Sequence, residues 1–438
     1  MKKTAPLLLC VLLCFLLLFG VLPPLNIQTT SASESLTPIE LLGKNLFFDT
    51  NLSTPSGVSC STCHSPETGF TGPNSDINAH GAVYEGAIDT RFTARAPPSA
   101  AYAGESPVLY FNETKSQWIG GMFFDGRATG WTLGDPLAEQ AQGPFLNPLE
   151  QNIPNKEGVV FKVILSNYAN LFEEVWGKGS LNNVDEAYDK IAMSIAAYER
   201  SSEVNPYTSK YDAYLAEKTQ LTQEEAQGLK LFQGKGLCAS CHPSEQTPLG
   251  ELPVFTDYTY WNLGIPKNPE NPFYNMSSEY NPDGANFTDL GLGSFLKNAS
   301  YPPAKYEPAL GTFKVPTLRN VDLKPTSEFV KSYGHNGYFK SLEEIVHFYN
   351  TRDVGIWPEP EASVNLDLMN MGNLGLTLSE ETAIVAFLKI LSDGYTDGSS
   401  EFEVQVVIVG SLIVVMACLV VFAVFRKNKI YQKNKGAN

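Results

Sequence analysis

The 438-residue chain is 43% hydrophobic and 18% charged, the balance of a folded protein with room for two or three cores. Its formal charge is −16; setting aside the two lysines at the start and the five basic residues at the end leaves 24 basic against 47 acidic side chains. A surface near −23 repels nucleic acid and attracts cationic partners, so nucleic-acid binding is excluded.

Met1-Lys2-Lys3 precedes an apolar run from Ala5 to Leu22, and the small residues Thr30-Ser31-Ala32 follow. Residues 1–32 therefore read as a secretory signal, cleaved or kept as an anchor. Thr37-Pro38 opens a predicted helix over Pro38–Phe48, with proline at the first helical position. The loop from Asn51 to Gly57 leads into Cys60-Ser61-Thr62-Cys63-His64. This is the attachment pattern of a c-type haem. Two thiols one turn apart form thioethers with the two vinyl groups of one porphyrin, and the adjoining histidine binds iron from below.

From Ser65 to Arg95 the chain is rich in Gly, Asn, Pro and Thr, and reads as an ordered irregular loop. It carries His80, 16 residues beyond His64. Spacing alone leaves His80 as a solvated loop histidine or a second axial ligand. Trp118 to Glu150 is also irregular, and Glu150, an acid among apolar and amide neighbours, is a candidate proton carrier or a surface residue.

Helical periodicity covers Val159–Trp176 and Asp185–Arg200; in the second, Ala187, Ile191, Ile195 and Tyr198 share a face. Lys210–Leu221 reads as a hinge. Thr222-x-x-Glu225 is a capping box starting a helix that runs into Cys238-Ala239-Ser240-Cys241-His242. The two C-x-x-C-H motifs lie about 175 residues apart, far beyond zinc-ribbon spacing. Helix, short loop and haem motif thus occur twice, as an internal repeat. The other cysteines, Cys10, Cys14 and Cys418, lie in apolar segments, which leaves none for a disulfide.

Asn268–Pro308, dense in Pro, Asn, Gly and Tyr, is expected to be a long loop packed on the second haem. Ser341-x-x-Glu344 caps a helix over Leu342–Asn350, on which Leu342, Ile345, Val346 and Tyr349 share a face. His347 points about 200° away from Tyr349 at about 100° per residue. Tyr349 is an ordinary core aromatic or faces the haem. A last helix is expected over Glu380–Leu391 behind Ser379. Val406 to Phe425 is long and apolar enough to span a bilayer, and Arg426, Lys427 and three further lysines follow it. The span (404–425) would leave the tail (426–438) cytoplasmic and the haem part at the cell membrane's extracytoplasmic face.

Together these stretches resemble the bacterial di-haem cytochrome c peroxidases and their MauG-like relatives, over about residues 35 to 395. The resemblance is carried by Leu42-Gly43-Lys44-Asn45-Leu46-Phe47-Phe48-Asp49, both C-x-x-C-H motifs, Asp125-Gly126-Arg127-Ala128, Gln140 to Glu150, and Phe313-Lys314-Val315-Pro316-Thr317-Leu318-Arg319-Asn320. It implies a mainly α fold with two tandem cytochrome c-like domains joined by long irregular loops. The peroxidatic domain would cover 35–212 and the electron-transfer domain 213–395, each with one covalently bound haem c. His80 matches the family's switchable distal ligand, and Gln140 and Glu150 match its catalytic pocket residues.

Three departures stand out. Phe124 occupies the place of the family's inter-haem tryptophan, with Trp118 and Trp131 nearby. Tyr349, 14 residues after His335, stands where the classical peroxidases place a methionine over the second haem, as in the MauG-like branch. Met369 and Met371 are more distant alternatives. Ala96 replaces an asparagine of the inter-haem calcium site, so a calcium ion is expected on weaker grounds. The implied activity is reduction of hydrogen peroxide with electrons from a small c-type cytochrome or cupredoxin. A MauG-like oxidase acting on a protein substrate and a non-enzymatic electron carrier are the alternatives. The resemblance leaves room for a homodimer.

Overall fold

Helix α1 runs Pro38–Phe48, as its cap implies: the Glu40 carboxylate accepts from the Thr37 N–H at 2.7 Å and so closes a capping box. The computed structural model describes residues 35–397 and the single positions 416, 424 and 426. The expected signal, and the apolar span apart from positions 416 and 424, lie outside the described residues. Among the described residues no helix is long and apolar enough to cross a membrane.

The fold is mostly helical. After α1 come α2 (Cys60–Cys63), α3 (Ser75–Ala79), α4 (Pro136–Leu146), α5 (Lys156–Ile164), α6 (Ala169–Trp176), α7 (Val184–Arg200) and α8 (Lys210–Leu215). The second half adds α9 (Gln223–Gln233), α10 (Gly291–Asn298), α11 (Pro303–Tyr306), α12 (Leu342–Thr351) and α13 (Leu378–Lys389). Two short antiparallel pairs complete it: β1 (Tyr110–Asn112) with β2 (Gln117–Ile119), and β3 (Tyr260–Trp261) with β4 (Phe313–Lys314).

The internal repeat is visible as two helix crossings. Helix α1 packs on α7, and α9 packs on α13. Each contact is made at a glycine. A Cβ on Gly43 would overlap the main-chain oxygen of Ser194, and one on Gly228 would overlap that of Ala383. The helices touch backbone to backbone at these points, which only a residue without a side chain permits. Around the first crossing lies a core of Leu42, Leu46, Phe47, Phe145, Ile195 and Tyr198, all under 2% exposed. Around the second lie Phe232, Phe255, Leu342, Ile384, Phe387 and Leu391. Burying each such side chain stabilises the fold by about 1.5–3 kcal/mol.

Buried cations tie the halves together. The Arg319 guanidinium donates to both Asp212 oxygens at 2.8 Å and lies over the rings of Tyr102 and Tyr207. The Lys331 ammonium donates to the carbonyls of Thr68 at 2.7 Å, Asn320 at 3.1 Å and Leu323 at 3.0 Å. Arg95 bridges Asp125 and Asp289, each at 2.6 Å.

Several boundaries differ from expectation, each for a local reason. The periodic stretch Val159–Trp176 is two helices, α5 and α6. Ser166 turns its hydroxyl back onto the Val163 carbonyl at 2.7 Å and so breaks the ladder. The expected hinge Lys210–Leu221 contains α8, capped by Ser209 with Asp212. Asn268–Pro308 is not a plain loop, because α10, α11 and two 3₁₀ turns lie in it. The last helix is capped by Thr377 with Glu380, two residues before the expected Ser379. Ser341 caps α12 by accepting from the Glu344 N–H at 3.1 Å, but the Glu344 carboxylate turns to the Lys340 N–H instead of closing the box.

Candidate haem sites

Each C-x-x-C-H motif opens on a cavity. The first, of about 380 Å³, is lined by Cys60, Cys63 and His64, with Gln140 and Glu150 on its wall. The His64 Nδ1 meets the Phe70 carbonyl at 3.1 Å, which leaves Nε2 as the nitrogen with the free lone pair. Burial lowers the proton affinity of the ring, so it stays neutral as an iron ligand must. The second cavity, of about 250 Å³, is lined by Cys238, Cys241 and His242. There Nδ1 of His242 meets the Phe255 carbonyl at 2.6 Å, the same arrangement.

The donor sets fit haem, with two cysteines and a neutral histidine lining each cavity. Burial pushes the thiols of Cys63, Cys238 and Cys241 up to about 12, and that of Cys60 higher still. None is a ready thiolate for redox exchange. Among the described residues no cluster of three His, Cys, Asp or Glu side chains is placed to hold a bare metal ion. The expected calcium position offers little: Ala96 has no side-chain oxygen, and its N–H is taken by the His335 carbonyl at 2.9 Å.

In the first cavity Glu150 is the chemically distinctive wall residue. Burial raises its proton affinity above that of an ordinary carboxyl; Arg127 and a hydrogen bond from Asn147 Nδ2 at 2.5 Å pull the other way and lose. Gln140 lines the same cavity from α4, whereas Gln142 turns away to Asp189 at 2.7 Å. His80 does not line this cavity. It follows α3 with its side chain 62% exposed, and its Nδ1 meets the Asp76 carbonyl at 2.8 Å. The peptide oxygen of His80 is nevertheless gripped from the second half, by Lys340 Nζ at 2.6 Å and Asn268 Nδ2 at 3.2 Å.

In the second cavity the α12 face is as the spacing implies: Leu342, Ile345, Val346 and Tyr349 all line it. His347 is directed away and pairs with Glu381 at 3.0 Å. Burial pushes the Tyr349 phenol well above its ordinary range, so without a cation nearby it is a neutral phenol. Neither methionine reaches the cavity: Met369 is 86% exposed, and Met371 is buried in a separate cluster with Phe339 and Phe348. Phe124 lines both cavities, as do the segment Ala96–Ser99 and Asp289, so the two sites share a partition. Trp118 and Trp131 line neither.

Comparison with known proteins agrees with this geometry. The family model described as di-haem cytochrome c peroxidase matches residues 38–220. The methylamine utilization protein MauG of Paracoccus denitrificans is 33% identical over 367 residues, covering 80% of this chain and 88% of MauG. The chain belongs to the di-haem cytochrome c peroxidase family. A second relative in that family, the cytochrome-c peroxidase IdrP2 of Denitromonas iodatirespirans, is 28% identical over 80% of both chains. The solved structure of the di-haem peroxidase BthA from Burkholderia thailandensis superposes with a TM-score of 0.69 at 29% identity, covering 84% of this chain and 88% of that one. Two c-type haems follow from this membership.

As a member of this family, the chain also has wall residues that its sequence did not single out. Trp261 lines the second cavity from β3, and the His335 ring stacks on Phe313 there at 3.6 Å and 11°. Lys314 lines it from β4; half-buried and with no acidic partner among the described residues, its ammonium is brought down to about 7 by desolvation. In the first cavity the missed residues are Tyr84, whose hydroxyl donates to Asn78 Oδ1 at 3.0 Å, and Glu199. A lone buried acid or base has no spacing signature. Only its surroundings mark it.

Proposed function

We propose that this oxidoreductase reduces hydrogen peroxide to water, drawing electrons from a small c-type cytochrome or cupredoxin through the second haem to the first. The observation that carries the reading is Glu150: a half-buried carboxyl of raised proton affinity, on the cavity wall with Gln140, in the cavity that His64 lines. When bound through Cys60, Cys63 and His64, the first haem supplies the iron on which peroxide is reduced. Glu150 takes a proton from one peroxide oxygen and returns it to the other, work suited to a carboxyl whose proton affinity burial has raised above the ordinary. Gln140 orients the ligand through its amide. Asn147 holds the carboxyl of Glu150 in place. Cys238, Cys241 and His242 would hold the second haem, Tyr349 would offer it a phenol oxygen from the same cavity wall, and Phe124 lines both cavities.

In this reading His80 is a gate. Its imidazole stands outside the cavity here, and the loop that bears it is held at the peptide oxygen by Lys340 and Asn268. A shift of those two residues in the second half would therefore be felt at His80. The same reading places the haem domains on the extracytoplasmic face of the cell membrane, held by the span 404–425. A calcium ion between the haems would rest on backbone oxygens, and pairing of two copies is compatible with the reading.

Peroxide-dependent oxidation of a reduced small c-type cytochrome tests the proposal. Glu150→Gln is expected to lower turnover by about 10²- to 10⁴-fold with both haems retained. Wild-type turnover in that variant would refute the mechanism. One observation favours a second reading. Tyr349 lines the second cavity while no methionine does, the pattern of the MauG-like branch. An oxidase acting on a protein substrate would hold its oxidised state long after peroxide is added, where a peroxidase returns quickly to rest.

A further inference from the structure

Helix α7 ends at the first haem cavity with an acid that the peroxidase reading does not use. Ile195 and Glu199, one turn apart, both line the cavity, as do Phe47, Val58 and Cys60. Glu199 is 4% exposed, and its Oε2 has no hydrogen-bond partner among the described residues. The cations nearby are engaged elsewhere. Arg200 donates to both Asp135 oxygens at 2.8 Å and to the Gly104 carbonyl. Lys44 of α1 pairs with Glu203, and Lys156 of α5 pairs with Asp185 at the far end of α7. The Glu139 carboxylate, on α4, is occupied by the N–H groups of Gly130, Thr132 and Leu133. The same cavity is lined by Glu150, Arg127, Glu85, Tyr84 and the neutral His64. A carboxylate in such a place lacks compensation, whereas a carboxylic acid costs far less to bury. Burial accordingly pushes Glu199 up to about 8; Arg200 only partly opposes this, and Asp135 adds to it.

Retaining an uncompensated acid at this depth is expensive for structure alone, since leucine or methionine would fill the same volume. It is useful to a site that must take up protons with electrons. Peroxide reduction follows H₂O₂ + 2 e⁻ + 2 H⁺ → 2 H₂O. Glu150, shuttling one proton between the two peroxide oxygens, supplies neither of the two that are consumed.

We propose that Glu199 is a second proton-carrying residue of the first haem site, protonated when that haem is reduced and releasing its proton into the cavity as that haem is oxidised. The proposal rests on the peroxidase reading for its role, but the proton coupling itself does not depend on turnover. Proton release removes a buried neutral acid in favour of an anion exactly where positive charge has increased, and uptake reverses this on re-reduction.

The test is a spectroelectrochemical titration of the full-length protein with both haems, between pH 6 and 9. One proton bound per electron is a tenfold change per pH unit, or about 59 mV. The first-haem potential of the wild type is expected to fall with pH, approaching that slope, while the second-haem potential moves much less. Glu199→Gln should flatten the first-haem slope, Glu199→Asp should keep a slope, and Glu150→Gln should leave the Glu199 contribution in place. An unchanged slope in Glu199→Gln, or no slope in the wild type, overturns the proposal. Should Glu199→Gln fail to assemble, redox-difference infrared spectra of the wild type and Glu199→Asp decide. A protonated-carboxyl band that appears on reduction and shifts in Glu199→Asp supports the proposal, and its absence refutes it. Loss of slope in Glu199→Gln from a wild type that never turns over peroxide would keep the proton site and reject the peroxidase reading. A turning-over wild type with no slope would do the reverse.

Discussion

Replacing Gly228 by alanine sets two familiar effects against each other. In an exposed helix the change stabilises by about 1 kcal/mol, because alanine is the better helix former. Here the added methyl would overlap the main-chain oxygen of Ala383 and come within 2.8 Å of the Phe387 Cβ. Neither neighbour is a flexible side-chain tip. The oxygen belongs to the middle of α13, so α9 and α13 must part. Overpacking of a close-packed core costs about 1–3 kcal/mol, and a clash with backbone belongs at the upper end of that range. Subtracting the propensity gain leaves a net loss of about 2 kcal/mol. For a unit of 150–250 residues, about 2–4 °C of melting temperature per kcal/mol gives a drop of about 4–8 °C. The assay is thermal unfolding of the full-length protein with both haems, followed by far-ultraviolet circular dichroism and by the absorption of the second haem. Gly43→Ala, whose methyl would overlap the Ser194 oxygen, should behave alike but act through the first haem. A melting temperature equal to or above wild type in Gly228→Ala would show that the crossing is not as tight as described, and the reasoning would fail.

Three further outcomes are expected. Arg319→Met strands Asp212 as a buried charge and should cost about 3–5 kcal/mol in urea unfolding, part of it recovered in the double variant with Asp212→Leu; an additive double variant counts against the pairing. Tyr349→Met should raise the potential of the second haem, since a thioether favours ferrous iron more than a phenolate does, and an unchanged potential in a redox titration would place Tyr349 off the iron. Burial opposes ionisation of Asp289, but Arg95 outweighs it and brings the carboxyl down to about 2 from 3.8. Its contribution to stability is therefore present above pH 3.8 and lost as the pH falls toward 2. Asp289→Asn should remove that part of the acid sensitivity, which melts at pH 6 and pH 3 would read.

Covalent chemistry and helix periodicity were written in the chain. The C-x-x-C-H motifs name their cofactor because thioether attachment demands two thiols one turn apart beside a histidine. The bounds of α1 came from Thr37, Pro38 and Glu40, and the cavity-facing side of α12 from the spacing of Leu342, Ile345, Val346 and Tyr349. These are local facts, fixed by residues within a turn or two of each other. The helices hidden in Asn268–Pro308 escaped because Pro, Gly and Asn also serve as caps, and sequence alone does not say which role wins.

Only the tertiary structure decided what depends on distant atoms. It put Phe124 against both cavities, left His80 exposed with its peptide oxygen held by Lys340 and Asn268, and kept Met369 and Met371 away from the second haem site. It also left the Oε2 of Glu199 without a hydrogen-bond partner, and Lys314 without an acidic one, among the described residues. Charge, burial and partnership are properties of an environment assembled from both halves of the chain. A residue's identity sets what it can do, and the desolvation and neighbours that folding imposes set which of those things it does.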